Sequence, residues 1–312
     1  MTQHTPEQVA YYQQLVQAYG ETAAQQEWAK YLAGNGAAAA PQVSAKPAFW
    51  DKDLHIPGET PSEQGMTVFL FGPLGTIKTT WAASWPKPVI LSVGHEGGDD
   101  SIAQLPELLG IEKPPVYQIS SVKKMRDKVD YIARMHQQYG WKTVVVDSVS
   151  FYSDLWIGEI VEGYRKSGKD PQMQMRDWGF LEAHICKEIA QRLHGTPLNV
   201  IWIALQKEKY SAADRTGEKS VEAVVPMMQG ASAVKLPAMC KMVIYASKER
   251  TIVNGVSTLS PVFNTSPTRL TGDLVRHKYG KTFPEGHLVD PRGGTWPSFE
   301  AIDSRIGQFI NK

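Results

Sequence analysis

The chain has 312 residues, 42% hydrophobic and 21% charged, which suffices for a buried core and argues against wholesale disorder. Its 33 basic and 32 acidic side chains nearly cancel, so a nucleic-acid surface would have to be local. Two isolated cysteines, Cys186 and Cys240, offer neither a disulfide framework nor a zinc set. There is no basic segment followed by an apolar run at the start, and no run approaches the ~18 apolar residues of a membrane span. The expected location is the cytoplasm, without membrane partners.

From Pro6 to Leu32, apolar groups at Val9, Tyr12, Leu15, Val16, Tyr19, Trp28 and Leu32 return at helical spacing, with Gly20 interrupting the run. Ala33 to Pro47 is rich in alanine and glycine and reads as a linker. Residues 1–47 are thus expected to form a small helical appendage with a flexible linker, and residues 48–312 the main domain.

From Met66 onward the pattern is α/β. Val68–Phe71 is a short apolar strand, and Lys78–Ser84 reads as a helix. Val89–Val93 and Val116–Ile119 follow as strands, Ser121–Tyr139 as a helix, and Thr143–Asp147 as a strand ending in a carboxylate. Helices are expected over Phe151–Tyr164 and Trp178–Leu193, and a strand from Asn199 to Ala204. Apolar strands alternating with helices predict a mostly parallel sheet covered by helices on both faces. Strands at Met242–Ala246, Thr251–Val253 and Pro261–Phe263, one turn passing through Asn254-Gly255, predict an antiparallel C-terminal extension.

Gly72-Pro-Leu-Gly-Thr-Ile-Lys-Thr79 lies between a strand and a helix. Backbone N–H groups at such a junction point at an anion, as in the phosphate loop of nucleotide-binding proteins. Gly72, Pro73, Gly75, Thr76, Ile77, Lys78, Thr79 and Thr80 are therefore the expected ATP contacts. Lys78 would reach the outer phosphates and the Thr79 hydroxyl would ligate Mg2+. The departure is Ile77, where the motif has glycine, and a β-branched residue fits badly if the backbone there is left-handed.

Asp147, at the end of its strand, is the expected second magnesium residue, reaching the ion from the strand beside the loop. Glu96 follows the second strand in Gly94-His-Glu-Gly-Gly98 and could orient an attacking water.

Taken together, these residues resemble the phage-encoded RecA-like ATPases associated with single-strand annealing and recombination. The resemblance spans roughly Met66 to Pro291. It includes Thr80-Trp-Ala-Ala-Ser-Trp-Pro-Lys-Pro88, Glu96-Gly-Gly98, Val145-Val-Asp-Ser148, Arg176-Asp-Trp-Gly179 and the strand from Val200 ending at Gln206. It implies a RecA-like P-loop NTPase fold and roles for Lys78, Thr79 and Asp147 at nucleotide and magnesium. It also implies Glu96 as the water-activating acid and Gln206 as the γ-phosphate sensor.

Arg276-His-Lys-Tyr-Gly280 resembles the basic finger of RecA-like ring ATPases, so Arg276 and Lys278 would act on a neighbour's nucleotide in a homo-oligomeric ring or filament. The implied partners are single-stranded DNA and a single-stranded-DNA-binding protein, in the cytoplasm of a bacterial host.

Two polar stretches are the expected DNA contacts. One carries Arg165, Lys166, Lys169 and Arg176; the other, read as a loop after Gln206, carries Lys207, Lys209, Tyr210, Arg215 and Lys219. Basic groups with an interleaved aromatic suit a single strand, where cations hold phosphate and rings stack on bases. The alternative left open by Ile77 is a weak or inactive P-loop protein kept as a structural or accessory oligomer in a DNA-processing complex.

Overall fold

The computed structural model describes residues 65–94, 112–212, 219–253 and 256–277, with scattered positions between 9 and 28 and at 102–103. The linker, Glu96, Arg215, Lys278 and Gly280 lie outside the described residues.

The chain divides into two compact units, Met1–Pro61 and Ser62–Lys312. In the first, the described positions are helical, Leu15 and Ala24 are buried, and the rings of Tyr12 and Trp28 pack 5.5 Å apart.

The second unit is built on a nine-stranded sheet. Its strands are β1 (Thr67–Gly72), β2 (Pro88–Val93), β3 (Val116–Ile119), β4 (Thr143–Asp147), β5 (Asn199–Tyr210), β6 (Val221–Pro226), β7 (Met242–Val253), β8 (Val256–Asn264) and β9 (Arg276–His277). The main path runs β3-β2-β4-β5-β1-β7-β8, and every pairing from β3 to β7 is parallel. β1 and β2 are buried at every position, which is why both read as unbroken apolar runs.

Side-chain alternation sorts the core into two clusters. One face carries Phe69, Phe71, Val144, Val146, Val200 and Trp202. It is covered by α2 (Val122–Tyr139), α3 (Val149–Lys166), α4 (Met175–Ala183) and a π-helical turn (His184–Ala190) that continues into α5 (Gln191–His194). The other face carries Val68, Leu70, Ile90, Val145, Ile201, Ile203, Met242 and Ile244 under α1 (Lys78–Ala83). There Trp81 stacks on Phe263 and meets Trp85 edge-on.

The helices begin and end where local chemistry dictates. Ser121 Oγ accepts from Lys124 N at the start of α2, and Gly140 closes that helix at φ 67°. Ser148 Oγ likewise accepts from Phe151 N at the start of α3. In the Arg176-Asp-Trp-Gly179 motif, Asp177 is a buried cap: it accepts from Gln174 N and from Tyr164 Oη.

Three expectations need correcting. Met242–Ala246 and Thr251–Val253 belong to one twelve-residue strand, β7, which is parallel to β1 and then pairs antiparallel with β8. Lys207 to Tyr210, expected in a loop, are strand: β5 continues to Tyr210 because β6 folds back on it. The Asp147 strand does not adjoin the loop strand, since β5 lies between β4 and β1. A sixth helix, α6 (Ser232–Met239), holds Pro237 and was hidden from periodicity by it. Among the described residues, no helix is long and apolar enough to cross a membrane.

Candidate functional site

β1 ends at Gly72 and the chain turns over the carboxyl edge of the sheet. Glycine is required there by crowding, because a Cβ on Gly72 would lie 2.1 Å from the Ala246 carbonyl oxygen of β7. Gly75 then takes φ 70° and Ile77 φ 56°, ψ 23°, after which α1 begins.

Ile77 thus occupies the left-handed conformation that the motif's glycine adopts at no steric cost. For a β-branched residue this costs about 1–2 kcal/mol. Its side chain packs partly against the core cluster around Trp81 and Val145, a contact of similar size that offsets the strain. The loop is further pinned by buried Thr76, whose hydroxyl donates to Pro73 O at 2.8 Å.

Lys78 is buried beneath this loop. Its ammonium donates to Gly72 O at 3.0 Å, to Pro73 O at 2.6 Å and to Thr76 Oγ1 at 3.3 Å. Burial lowers its pKa to about 8, against the opposing pull of Asp147, and the like charge of Lys248 lowers it further. Thr79 Oγ1 donates to Asp147 Oδ2 at 2.5 Å. The pair meets although β5 separates their strands, because α1 crosses the sheet diagonally and packs against β1, β2, β4 and β5.

These groups border a cavity of about 290 Å³, lined by the loop from Leu74 to Thr79 and by Ser92, Val93, Asp147, Ser148, Phe151, Ile203 and Leu205. Loop amides, one lysine and a hydroxyl–carboxylate pair at one end of a cleft suit a polyphosphate with a hard cation. Among the described residues no cluster of three or more histidine, cysteine or acidic groups could hold a metal alone.

A family profile described as an AAA domain matches residues 64–271, about two thirds of the chain. The chain belongs to the AAA domain family. An AAA domain is a nucleotide-binding, P-loop ATPase-type domain, and the sheet, loop and cavity described above are its expected parts. No curated protein matches the chain.

The expected residues distribute unevenly about this AAA site. Gly75, Thr76, Ile77, Lys78, Thr79 and Asp147 meet at the cavity. Gly72 and Pro73 sit behind it as acceptors for Lys78, and Thr80 is buried outside the lining. Gln206 does not face the cavity. It lies on the opposite side of β5 from Ile203 and Leu205, where its Oε1 accepts from Tyr245 Oη at 3.0 Å. Arg276 sits where β9 pairs with Val243, toward the amino end of β7, and donates to Pro237 O; it does not line its own subunit's cavity.

The basic stretches also separate. Arg165 and Lys166 close α3, and both pair with Glu162. They lie about 25 Å along that helix from its first turn beside the cavity. Arg176 opens α4 with Asp177 beside it, and Lys169 lies in the turn between α3 and α4. Lys207 and Lys209 share the face of β5 that carries Ile203 and Leu205, while Glu208 and Tyr210 bond each other on the opposite face. Lys219 is exposed just before β6.

Lining residues missed in the sequence include Ser92, Phe151 and Leu205, and Lys248 lies next to the loop outside the lining. A Cβ built on Gly75 would lie 3.0 Å from Lys248 Nζ. Alternation along β7 from Ala246 is the only sequence signal for it, and that becomes useful only once β7 is known to lie beside β1.

Proposed function

We propose that this protein is an ATP-binding, RecA-like protein that binds single-stranded DNA and assists annealing or homologous recombination in phage DNA metabolism. In this reading it works as a homo-oligomer, ring or filament, alongside a single-stranded-DNA-binding protein. Lys78 and the loop amides hold the outer phosphates of ATP. Thr79 and Asp147 hold Mg2+, which offsets phosphate charge. Arg276 and Lys278 serve a neighbour's nucleotide, and Glu96 orients water.

The single observation that carries the reading is the course of β5. This strand lines the cavity with Ile203 and Leu205 and continues into a ribbon whose next two residues on the same face are Lys207 and Lys209. Nucleotide site and basic ribbon are thereby parts of one strand. The accessory reading rests on Ile77 alone, and the retained left-handed turn there weighs against a lapsed loop.

The test is fluorescence anisotropy with a labelled oligothymidylate, with and without Mg2+ and ATP, on the wild type and Lys78→Ala. The proposal expects ATP to tighten binding by about tenfold, the equivalent of ~1.4 kcal/mol, and Lys78→Ala to abolish the gain. Absence of DNA binding under every condition would sink the annealing role. DNA binding indifferent to ATP would support the accessory reading instead.

A further inference from the structure

β1 and β7 run side by side and parallel, with Phe71 opposite Tyr245. At Gly72 the two part: β1 peels off into the phosphate loop, whereas β7 continues as a strand to Val253. Side chains of β7 on the α1 face are Met242, Ile244 and Ala246, all buried. The next residue on that face is Lys248, one step beyond the point where its neighbouring strand has gone. Its Nζ consequently hangs over the loop, 3.0 Å from where a Gly75 Cβ would be.

Two features bear on what this exposed lysine meets. Two ammonium groups reach one loop: Lys248 from β7 over Gly75, and Lys78 from beneath against Gly72 O, Pro73 O and Thr76 Oγ1. Also, among the described residues Lys248 has neither an ion pair nor a hydrogen bond, although the sheet brings it to the one place where an anion is expected. Asp147 offsets part of this positive charge, and a polyphosphate is the further anion that the loop amides fit.

We propose that Lys248 is a second phosphate-binding lysine, contacting the outer phosphates of a nucleotide held by the loop of its own subunit. The inference rests on the nucleotide reading of the cavity and adds to it a contact that needs no neighbouring copy. Gly75 is constrained by its left-handed backbone, and the Lys248 ammonium lies beside it.

The experiment is calorimetric titration of the full chain with ATP in Mg2+, comparing wild type, Lys248→Ala, Lys248→Arg and Lys78→Ala. Thermal melts would confirm that each variant folds. The expected result is a roughly tenfold rise in Kd for Lys248→Ala, with Lys248→Arg recovering most of the loss. Wild type and Lys248→Ala binding ATP equally, while Lys78→Ala does not bind, would overturn the proposal and leave the nucleotide reading standing. Wild type failing to bind ATP would overturn both.

A mixture of Lys78→Ala and Lys248→Ala proteins separates action within a subunit from action between subunits. No recovery of tight sites is expected. Recovery would show that Lys248 serves the neighbouring copy and would overturn the proposal as stated.

Discussion

At the residue scale, Lys78 is held in a costly state. Burial drives its pKa down to about 8, so the folded protein resists the charge that phosphate binding requires. In the unfolded chain the same group titrates near 10.5. Between these values the unfolded state binds more protons, so the penalty present below about pH 8 fades as pH rises toward 10.5. Lys78→Met should therefore raise unfolding stability at pH 7, by on the order of 1–3 kcal/mol, while abolishing ATP binding. Urea melts at pH 7 and pH 10 would check this: the variant's advantage should shrink at the higher pH, and a less stable variant at pH 7 would refute it. Ile77 is a second local cost, paid in backbone conformation and balanced by contact with the core cluster under α1. Both residues fit a loop kept for a ligand, since neither arrangement is the most stable one available.

At the scale of elements, the ribbon of β5 and β6 turns a charge-balanced segment into a sided one. Lys207 and Lys209 share one face, and Glu208 bonds Tyr210 on the other. If the lysines each hold one phosphate of a single strand, Lys207→Ala/Lys209→Ala should flatten the dependence of log affinity on log salt by about 1.4. Anisotropy titrations over a salt series would measure this, and an unchanged slope would place the DNA elsewhere. The same ribbon shows where sequence reading stops. β1, β2 and β4 were legible because strands buried on both sides must be apolar throughout. Lys78, Thr79 and Asp147 were legible because the first two belong to a local motif and the third ends such a strand. The exposed half of β5 looked like a loop because its charged residues carry no signature of pairing; only β6 supplies that. Lys248 was invisible for a related reason, since its position depends on register with a strand about 175 positions earlier in the chain. Gln206 ends the apolar run but not the strand, which continues to Tyr210.

At the scale of the whole molecule, every described cavity-lining residue belongs to the unit Ser62–Lys312. A chain beginning at Ser62 should therefore unfold cooperatively and bind ATP with an affinity within about twofold of the full chain, which is only ~0.4 kcal/mol. Calorimetric titration of the two proteins would decide. A large loss would show that residues 1–61 shape the site. The AAA family match covers residues 64–271 and so coincides with this unit's described core. Arg276, proposed as part of a basic finger, lies past the end of that match and does not line the cavity. In the proposed oligomer each site would combine Lys78 and Lys248 from one subunit with Arg276 and Lys278 from the next.

The placement of β5 between the loop strand and the Asp147 strand has a mechanical corollary. Nothing jointed separates Leu205 from Lys207; a single extended backbone runs through both, braced by β1 and β4 at one end and by β6 at the other. A signal along such a strand cannot travel as a swinging loop. It has to travel as twist or as a small axial slide, motions that a braced strand transmits with little amplitude and little delay. Communication between cavity and ribbon would then resemble a stiff shaft more than a latch.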